Sequence, residues 1–80
     1  MVKIRFFGIH QIATGTDFIE MPVMGKTSIK DAIDFVRKRY PDFVLDDGTV
    51  IITVNHEKAT RDTVLKDNDT VELLPFIGGG

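Results

Sequence analysis

One stretch of this 80-residue chain has helical periodicity, and segments with the alternation of β-strands flank it on both sides. Its apolar side chains recur at i, i+3, i+4, i+7 and i+11, which form one stripe on a helix: Ile29, Ala32, Ile33, Val36 and Tyr40. Ser28 and Asp31 form a variant of the capping box at its start, and Pro41 disfavours helix beyond Tyr40. A lone amphipathic helix must bury its stripe against another layer, so the chain is constrained to a helix packed on a sheet.

The other apolar residues alternate as they do in strands with one buried face. Five segments are predicted as strands: residues 2–6, 17–21, 50–54, 58–60 and 70–75. Residues 8–16 contain two glycines and little apolar pattern, so they are predicted to form a long loop. Tight turns are predicted at residues 46–48, 55–57 and 67–69, where Asp, Asn and Gly occur between the strands. The β-branched run at 50–54 is expected in the middle of the sheet. The predicted fold is therefore α+β, a single domain over residues 1–80 with a mixed sheet of four to five strands and one main helix on one face.

Charge and cysteine content exclude several classes of protein. Ten Lys and Arg residues against twelve Asp and Glu leave a formal charge of -2, so nucleic acid is not an expected partner. The absence of cysteine excludes both a disulfide framework and a cysteine-based zinc site. No stretch approaches the roughly 20 apolar residues that a membrane span needs. We therefore expect a soluble, cytoplasmic protein that has no membrane contact and is held together by hydrophobic packing.

Candidate catalytic residues are few. Ser28 is the only serine and is already assigned to the helix cap. His10 and His56 both fall in predicted loops, without a carboxylate at a diagnostic spacing, so they are predicted to be ordinary exposed histidines. The acidic residues lie where turns favour Asp, and their spacing matches no calcium loop. No metal site and no self-contained active site are predicted.

The end of the chain is its most informative segment. Three of the seven glycines stand together as Gly78, Gly79 and Gly80, directly after the last predicted strand. Pro75 should end that strand, leaving residues 76–80 as a flexible tail that lacks bulky side chains at its tip. Such a thread can enter a narrow pocket of another protein, because glycine has no Cβ. The alternative interpretation is a frayed terminus or a cloning remnant.

A predicted apolar patch lies at the base of this tail. If the last strand pairs with the first, Phe7 and Leu74 share the outer face of the sheet, next to Phe76 and Ile77. Contiguous exposed apolar surface on a small protein usually marks a docking site. The alternative is a satellite cluster packed under the predicted long loop.

Motifs along essentially the whole chain resemble the MoaD/ThiS sulfur carriers, which are ubiquitin-like β-grasp proteins. The residues that carry the resemblance are 2–7, 13–16, 39–41, 54–57, 65–71 and the terminal segment 74–80. The resemblance is closer to the small subunit of molybdopterin synthase than to the thiamine-pathway carrier. Asn68 stands where the family commonly has glycine, and Phe76 replaces the second proline of the family's usual Pro-Pro.

The resemblance implies a function in which the chain itself is not an enzyme. Gly80 would be adenylated by a ubiquitin-activating-type enzyme using ATP and magnesium, then converted by a sulfur donor to a thiocarboxylate. Gly78 and Gly79 would thread into the partner, while Phe7, Leu74, Pro75, Phe76 and Ile77 would bind it. The acceptor would be the large subunit of molybdopterin synthase. Left open are another pathway such as thiamine synthesis or tRNA thiolation, a ubiquitin-like protein modifier, and an interaction module with an inert tail.

Overall fold

The computed structural model describes residues 1–45, 48 and 50–76, in which one long helix packs on a sheet of short strands. In chain order the elements are β1 (Val2–Phe6), α1 (Ile9–Thr14), β2 (Phe18–Met21), β3 (Thr27–Ser28), α2 (Ile29–Arg39), β4 (Val50–Val54), β5 (Glu57–Lys58), β6 (Val64–Leu65) and β7 (Thr70–Pro75). The predicted turn at Asp46 and Asp47 and the predicted tail beyond Phe76 lie outside the described residues. No helix within the described part of the chain is long and apolar enough to cross a bilayer.

Five strands form the main sheet in the order β2-β1-β7-β4-β5. The first and last strands, β1 and β7, are parallel, and Phe6 pairs with Leu73. The other pairs are antiparallel, including β4 with β7, where Ile51 pairs with Leu74. The predicted mixed sheet is therefore confirmed. A separate two-stranded sheet pairs β3, which lies directly before α2, with β6. The alternation of apolar residues did not indicate this sheet.

The core lies between α2 and one face of the sheet, which we call the inner face. Strand alternation turns Val2, Ile4 and Phe6 inward, and all three are buried. The predicted helical stripe faces them, with Ile29, Ala32, Ile33 and Val36 buried and Tyr40 partly buried. The ring of Tyr40 meets Phe6 edge to face, with centroids 6.1 Å apart. The packing of one main helix on one face of the sheet is thus confirmed.

The start of α2 is stabilised by the predicted capping box. Asp31 Oδ2 accepts hydrogen bonds from the Ser28 backbone N–H at 2.9 Å and from Ser28 Oγ at 3.2 Å. We expect Asp31→Ala to lower the free energy of unfolding by about 1 kcal/mol in urea denaturation. The matched control is Asp34→Ala, which removes an exposed carboxylate from the same helix. Equal effects of the two substitutions would contradict this role of Asp31.

Two of the predicted tight turns, at Asn55 and at Asn68, are present in the structure. Asn55 and His56 both have positive φ angles, of 52° and 71°, and connect β4 to β5 as a two-residue hairpin loop. Asn68 also has a positive φ, of 73°, in the turn before β7. Asparagine tolerates this left-handed region better than most residues, so Asn55 and Asn68 adopt it without a glycine.

Two predictions about the elements were wrong. The segment predicted as a long loop contains α1, whose six residues are too few to show helical periodicity. Glycines bracket this helix, with Gly8 at its N-cap and Gly15 at its C-cap in the left-handed conformation. Strand β4 is not the middle of the sheet, because β7 occupies that position. The run in β4 is apolar on both faces of the sheet because Ile51 faces away from the core, where it lies opposite Leu74.

Candidate functional site

The outer face of the sheet, opposite α2, is apolar at the end where β1 and β7 terminate. The parallel register pairs Phe6 with Leu73, so Phe7 and Leu74 follow as neighbours that point to the outer face. Both are partly buried, and Ile51 lies opposite Leu74 on β4.

The guanidinium of Arg5 lies over the ring of Phe7, 4.8 Å from its centroid. We call Phe7, Leu74 and Phe76 the docking face; Phe76 is 55% exposed directly beyond β7.

Pro75 turns the other way, toward the inner side of the sheet. It pairs with Val50, and its Cγ lies 3.3 Å from where a Cβ on Gly8 would stand. Gly8 has a φ of 56°, a conformation in which only glycine is unstrained, so the close approach of α1 to the end of β7 depends on it. Of the predicted partner-binding residues, Phe7 and Leu74 therefore share a face and Pro75 does not. Ile77, Gly78, Gly79 and Gly80 lie outside the described residues.

The other half of the outer face is polar and centres on Glu72. This carboxylate is only 3% exposed, although it faces away from the core. Thr53 Oγ1 and the His56 backbone N–H both donate to Oε1, at 2.6 and 2.8 Å. His56 Nδ1 lies 2.8 Å from Oε2. The carboxylate is therefore fully engaged, and it holds the β4–β5 turn against the central strand.

These contacts lower the pKa of Glu72. Burial by itself would raise the pKa, but the hydrogen bonds from Thr53 and the His56 amide, with the Coulombic effects of the His56 and Arg5 side chains, outweigh it. A carboxyl whose pKa is lower in the folded than in the unfolded chain stabilises the fold above its ordinary pKa of 4.5. That contribution is lost as the pH falls through the folded-state pKa. Glu72 is therefore expected to contribute to acid destabilisation of the fold.

We expect Glu72→Gln to lower the free energy of unfolding at neutral pH by about 1–2 kcal/mol, because a charged acceptor of several hydrogen bonds is lost. The acid limb of the stability curve should also become flatter. The measurement is chemical denaturation at a series of pH values from neutral down to acid. Glu20→Gln, an exposed position on β2, is the matched control. An acid limb unchanged in Glu72→Gln would contradict the assignment.

The two histidines differ from their predicted state. His10 is buried, not an exposed loop residue, because α1 turns it toward β7 and Phe43. Its Nδ1 lies 3.2 Å from the carbonyl oxygen of Leu73; because a carbonyl only accepts, Nδ1 carries the hydrogen. His56 is exposed as predicted, but its pairing with Glu72 was missed. A signal was available for that pairing, since a glutamate within the central strand of a sheet needs partners from neighbouring strands.

The described residues do not bring together three His, Asp or Glu side chains that could hold a metal ion. What they bring together is a surface: an apolar docking face, a fully hydrogen-bonded polar half, and the end of the central strand between them. This arrangement can bind a partner and present whatever follows Phe76.

Comparisons with known proteins identify the family of this chain. The model of the ThiS family matches residues 4–80. The molybdopterin synthase sulfur carrier subunit of Mycobacterium tuberculosis is 29% identical over 80 residues, which cover 99% of this chain and 96% of that protein.

Solved structures share the fold over nearly the whole chain. A putative molybdopterin converting factor subunit 1 from Pyrococcus furiosus is 27% identical with a TM-score of 0.84, covering 95% of this chain and 97% of its own. The modifier SAMP1 from Haloferax volcanii has the same TM-score at 22% identity, covering 99% and 98%. A complex of subunits 1 and 2 of the molybdopterin-converting factor from Helicobacter pylori matches with a TM-score of 0.66 at 23% identity, covering 99% and 97%.

The predicted β-grasp fold and the predicted family are both confirmed. The match of the family model extends from β1 to the terminal glycines and leaves only the first three residues of the chain unmatched. This chain belongs to the ThiS family of ubiquitin-like sulfur carriers.

Proposed function

We propose that this chain is a sulfur carrier loaded at the carboxylate of Gly80, and that it donates the sulfur in molybdopterin synthesis. The observation that carries the proposal is the extent of the family match, which runs through β7 into residues 78–80. The M. tuberculosis relative, named as the sulfur carrier subunit of molybdopterin synthase, supports the choice of pathway.

The loading reaction requires activation of the carboxylate, because a carboxylate is a poor electrophile. In an adenylating enzyme of the ubiquitin-activating type, a Gly80 carboxylate oxygen attacks the α-phosphorus of magnesium-bound ATP, and pyrophosphate leaves. The terminal sulfur of a persulfide then attacks the carbonyl carbon and expels AMP, which leaves an acyl disulfide. A thiol cleaves the sulfur–sulfur bond, is itself oxidised to a disulfide, and releases the thiocarboxylate.

The chain's own contribution is presentation of its terminus. The docking face binds the partner, and Ile77, Gly78 and Gly79 carry the reacting carboxylate into the partner's active site. Strand β7 suits this role because it lies at the centre of the sheet, with hydrogen-bonded neighbours on both sides. Its pairing with β1 and β4 holds the base of the tail in a defined position while the tail itself enters the partner.

The acceptor that we propose is the large subunit of molybdopterin synthase. The H. pylori complex of subunits 1 and 2 supports a partner of this kind, because a chain of the same fold is present there together with a second subunit. In the complex that we propose, the thiocarboxylate sulfur would be transferred to a pterin precursor on the large subunit.

The proposal is tested by intact-mass measurement after incubation with the host's adenylating enzyme, MgATP and a persulfide donor. The expected result is a mass gain equal to one oxygen replaced by sulfur, located on Gly80 and dependent on ATP. Gly80 joined to lysines of other proteins, without that gain, would indicate a protein modifier. An unchanged mass would indicate an interaction module with an inert tail, and either of these outcomes overturns the proposal.

A further inference from the structure

The helix α1 presents an apolar face to solvent. Ile9 is 67% exposed and Ile12 is 82% exposed. Residues three apart lie on the same side of a helix, so the two isoleucines form one surface, which we call the α1 apolar face. A single exposed isoleucine is ordinary on a protein surface, but two adjacent ones on a two-turn helix leave most of its outward side apolar.

This face is held in a fixed position. The inward side of α1 carries His10, whose Nδ1 donates to the Leu73 carbonyl on the central strand and whose ring packs on Phe43, with centroids 5.2 Å apart. The backbone N–H of Gly15 closes the helix by donating to the Gln11 carbonyl oxygen at 2.8 Å. The exposed isoleucines are therefore presented on a helix anchored to β7, the same strand that leads into the tail.

The start of α1 lies next to the end of β7, the strand that leads into the tail. Gly8, at the start of α1, approaches Pro75 at the end of β7. Four residues, 77–80, separate Phe76 from the terminal carboxylate. Even fully extended, they reach about 14 Å. An enzyme whose active site holds that carboxylate must therefore bring its own surface against the residues around the end of β7, and α1 is among them.

We propose that the α1 apolar face is a second contact surface for the adenylating enzyme, in addition to the docking face. This inference rests on the proposed function. It commits the enzyme to an apolar, uncharged patch opposite Ile9 and Ile12, because none of the exposed residues of α1 carries a charge that could pair with one. A charged group buried there would lose its hydration without compensation.

The test is binding of the full chain to the purified adenylating enzyme from the same host, measured by calorimetry, together with the intact-mass assay. The double variant Ile9→Gln/Ile12→Gln keeps both side chains uncharged and of similar size but replaces apolar surface with polar surface, and we expect its Kd to rise at least about tenfold. The matched control is Met24→Gln, which is 80% exposed and follows β2 at the opposite end of the sheet. Ile12→Leu, which keeps the apolar surface, should bind like the wild type.

The outcomes separate this inference from the proposed function. If the wild-type chain gains no sulfur, the proposed function fails and this inference fails with it. If the wild-type chain is loaded and the double variant binds the enzyme with unchanged Kd, the inference alone is wrong. Weaker binding only to the large synthase subunit would also overturn it, since the occupant would be the acceptor. Thermal unfolding of each variant identifies any loss of binding that is caused by unfolding. If the double variant does not fold, Ile12→Lys, a single substitution at an exposed position, replaces it and should also weaken binding.

Discussion

Deletion of Gly79 and Gly80 is expected to abolish ATP-dependent sulfur loading completely. The deletion removes the reacting carboxylate and places the new terminus at Gly78, about 7 Å short of the former position at full extension. The strands of both sheets and both helices lie within residues 2–75, so thermal stability should be unchanged. The measurement is the intact-mass assay with the adenylating enzyme, MgATP and a persulfide donor.

A length-matched variant separates distance from shape. The double substitution Gly79→Ala/Gly80→Ala keeps the terminal carboxylate at its distance but adds two Cβ atoms, which a channel fitted to glycine would exclude. We expect loading of this variant to be strongly reduced but not abolished. A truncated chain that still supported sulfur transfer in a reconstituted synthase would show that the proposed mechanism is wrong.

Leu74→Asp is expected to weaken binding to the adenylating enzyme by about 2 kcal/mol or more, which is roughly 30-fold in Kd. Leu74 lies at the centre of the docking face, between Phe7 on β1 and Ile51 on β4. A carboxylate there would be desolvated in the complex, next to apolar groups on both proteins.

Two further variants keep that prediction testable, since Leu74 is partly buried and its substitution can affect the fold. Phe76→Asp changes a more exposed member of the same face beyond the last strand and should also weaken binding. Val64→Asp changes a residue of similar exposure on the small β3–β6 sheet and should leave binding unchanged. Unfolding of Leu74→Asp together with normal binding by Phe76→Asp would assign these side chains to packing instead of docking.

Local patterns were sufficient to predict most of the framework. The stripe, the capping box and Pro41 defined α2 because helix formation depends on residues three and four positions apart. The turns at Asn55 and Asn68 were predictable for a similar reason, since tolerance of a positive φ is a local property of asparagine. The neighbouring positions of Phe7 and Leu74 followed once the first strand was paired with the last.

Predictions failed where burial depends on distant partners. His10 is buried because Leu73, 63 residues away in the chain, accepts its hydrogen bond. Glu72 is buried because Thr53 and His56 reach it from β4 and its turn. The helix α1 was missed because six residues give too little periodicity, although the glycines at both of its ends were a usable signal.

The sequence alone therefore determined the main helix, the principal strands, the tight turns and the family, because each depends on neighbouring residues or on a continuous motif. Which of the polar side chains are buried, and which of the apolar side chains are exposed, was decided only by the tertiary structure. The physical reason is that the parallel pairing of β1 with β7 brings together residues from opposite ends of the chain. Contacts of that kind bury Glu72 and His10, and they place the exposed Ile9 and Ile12 beside the strand that leads to Gly80.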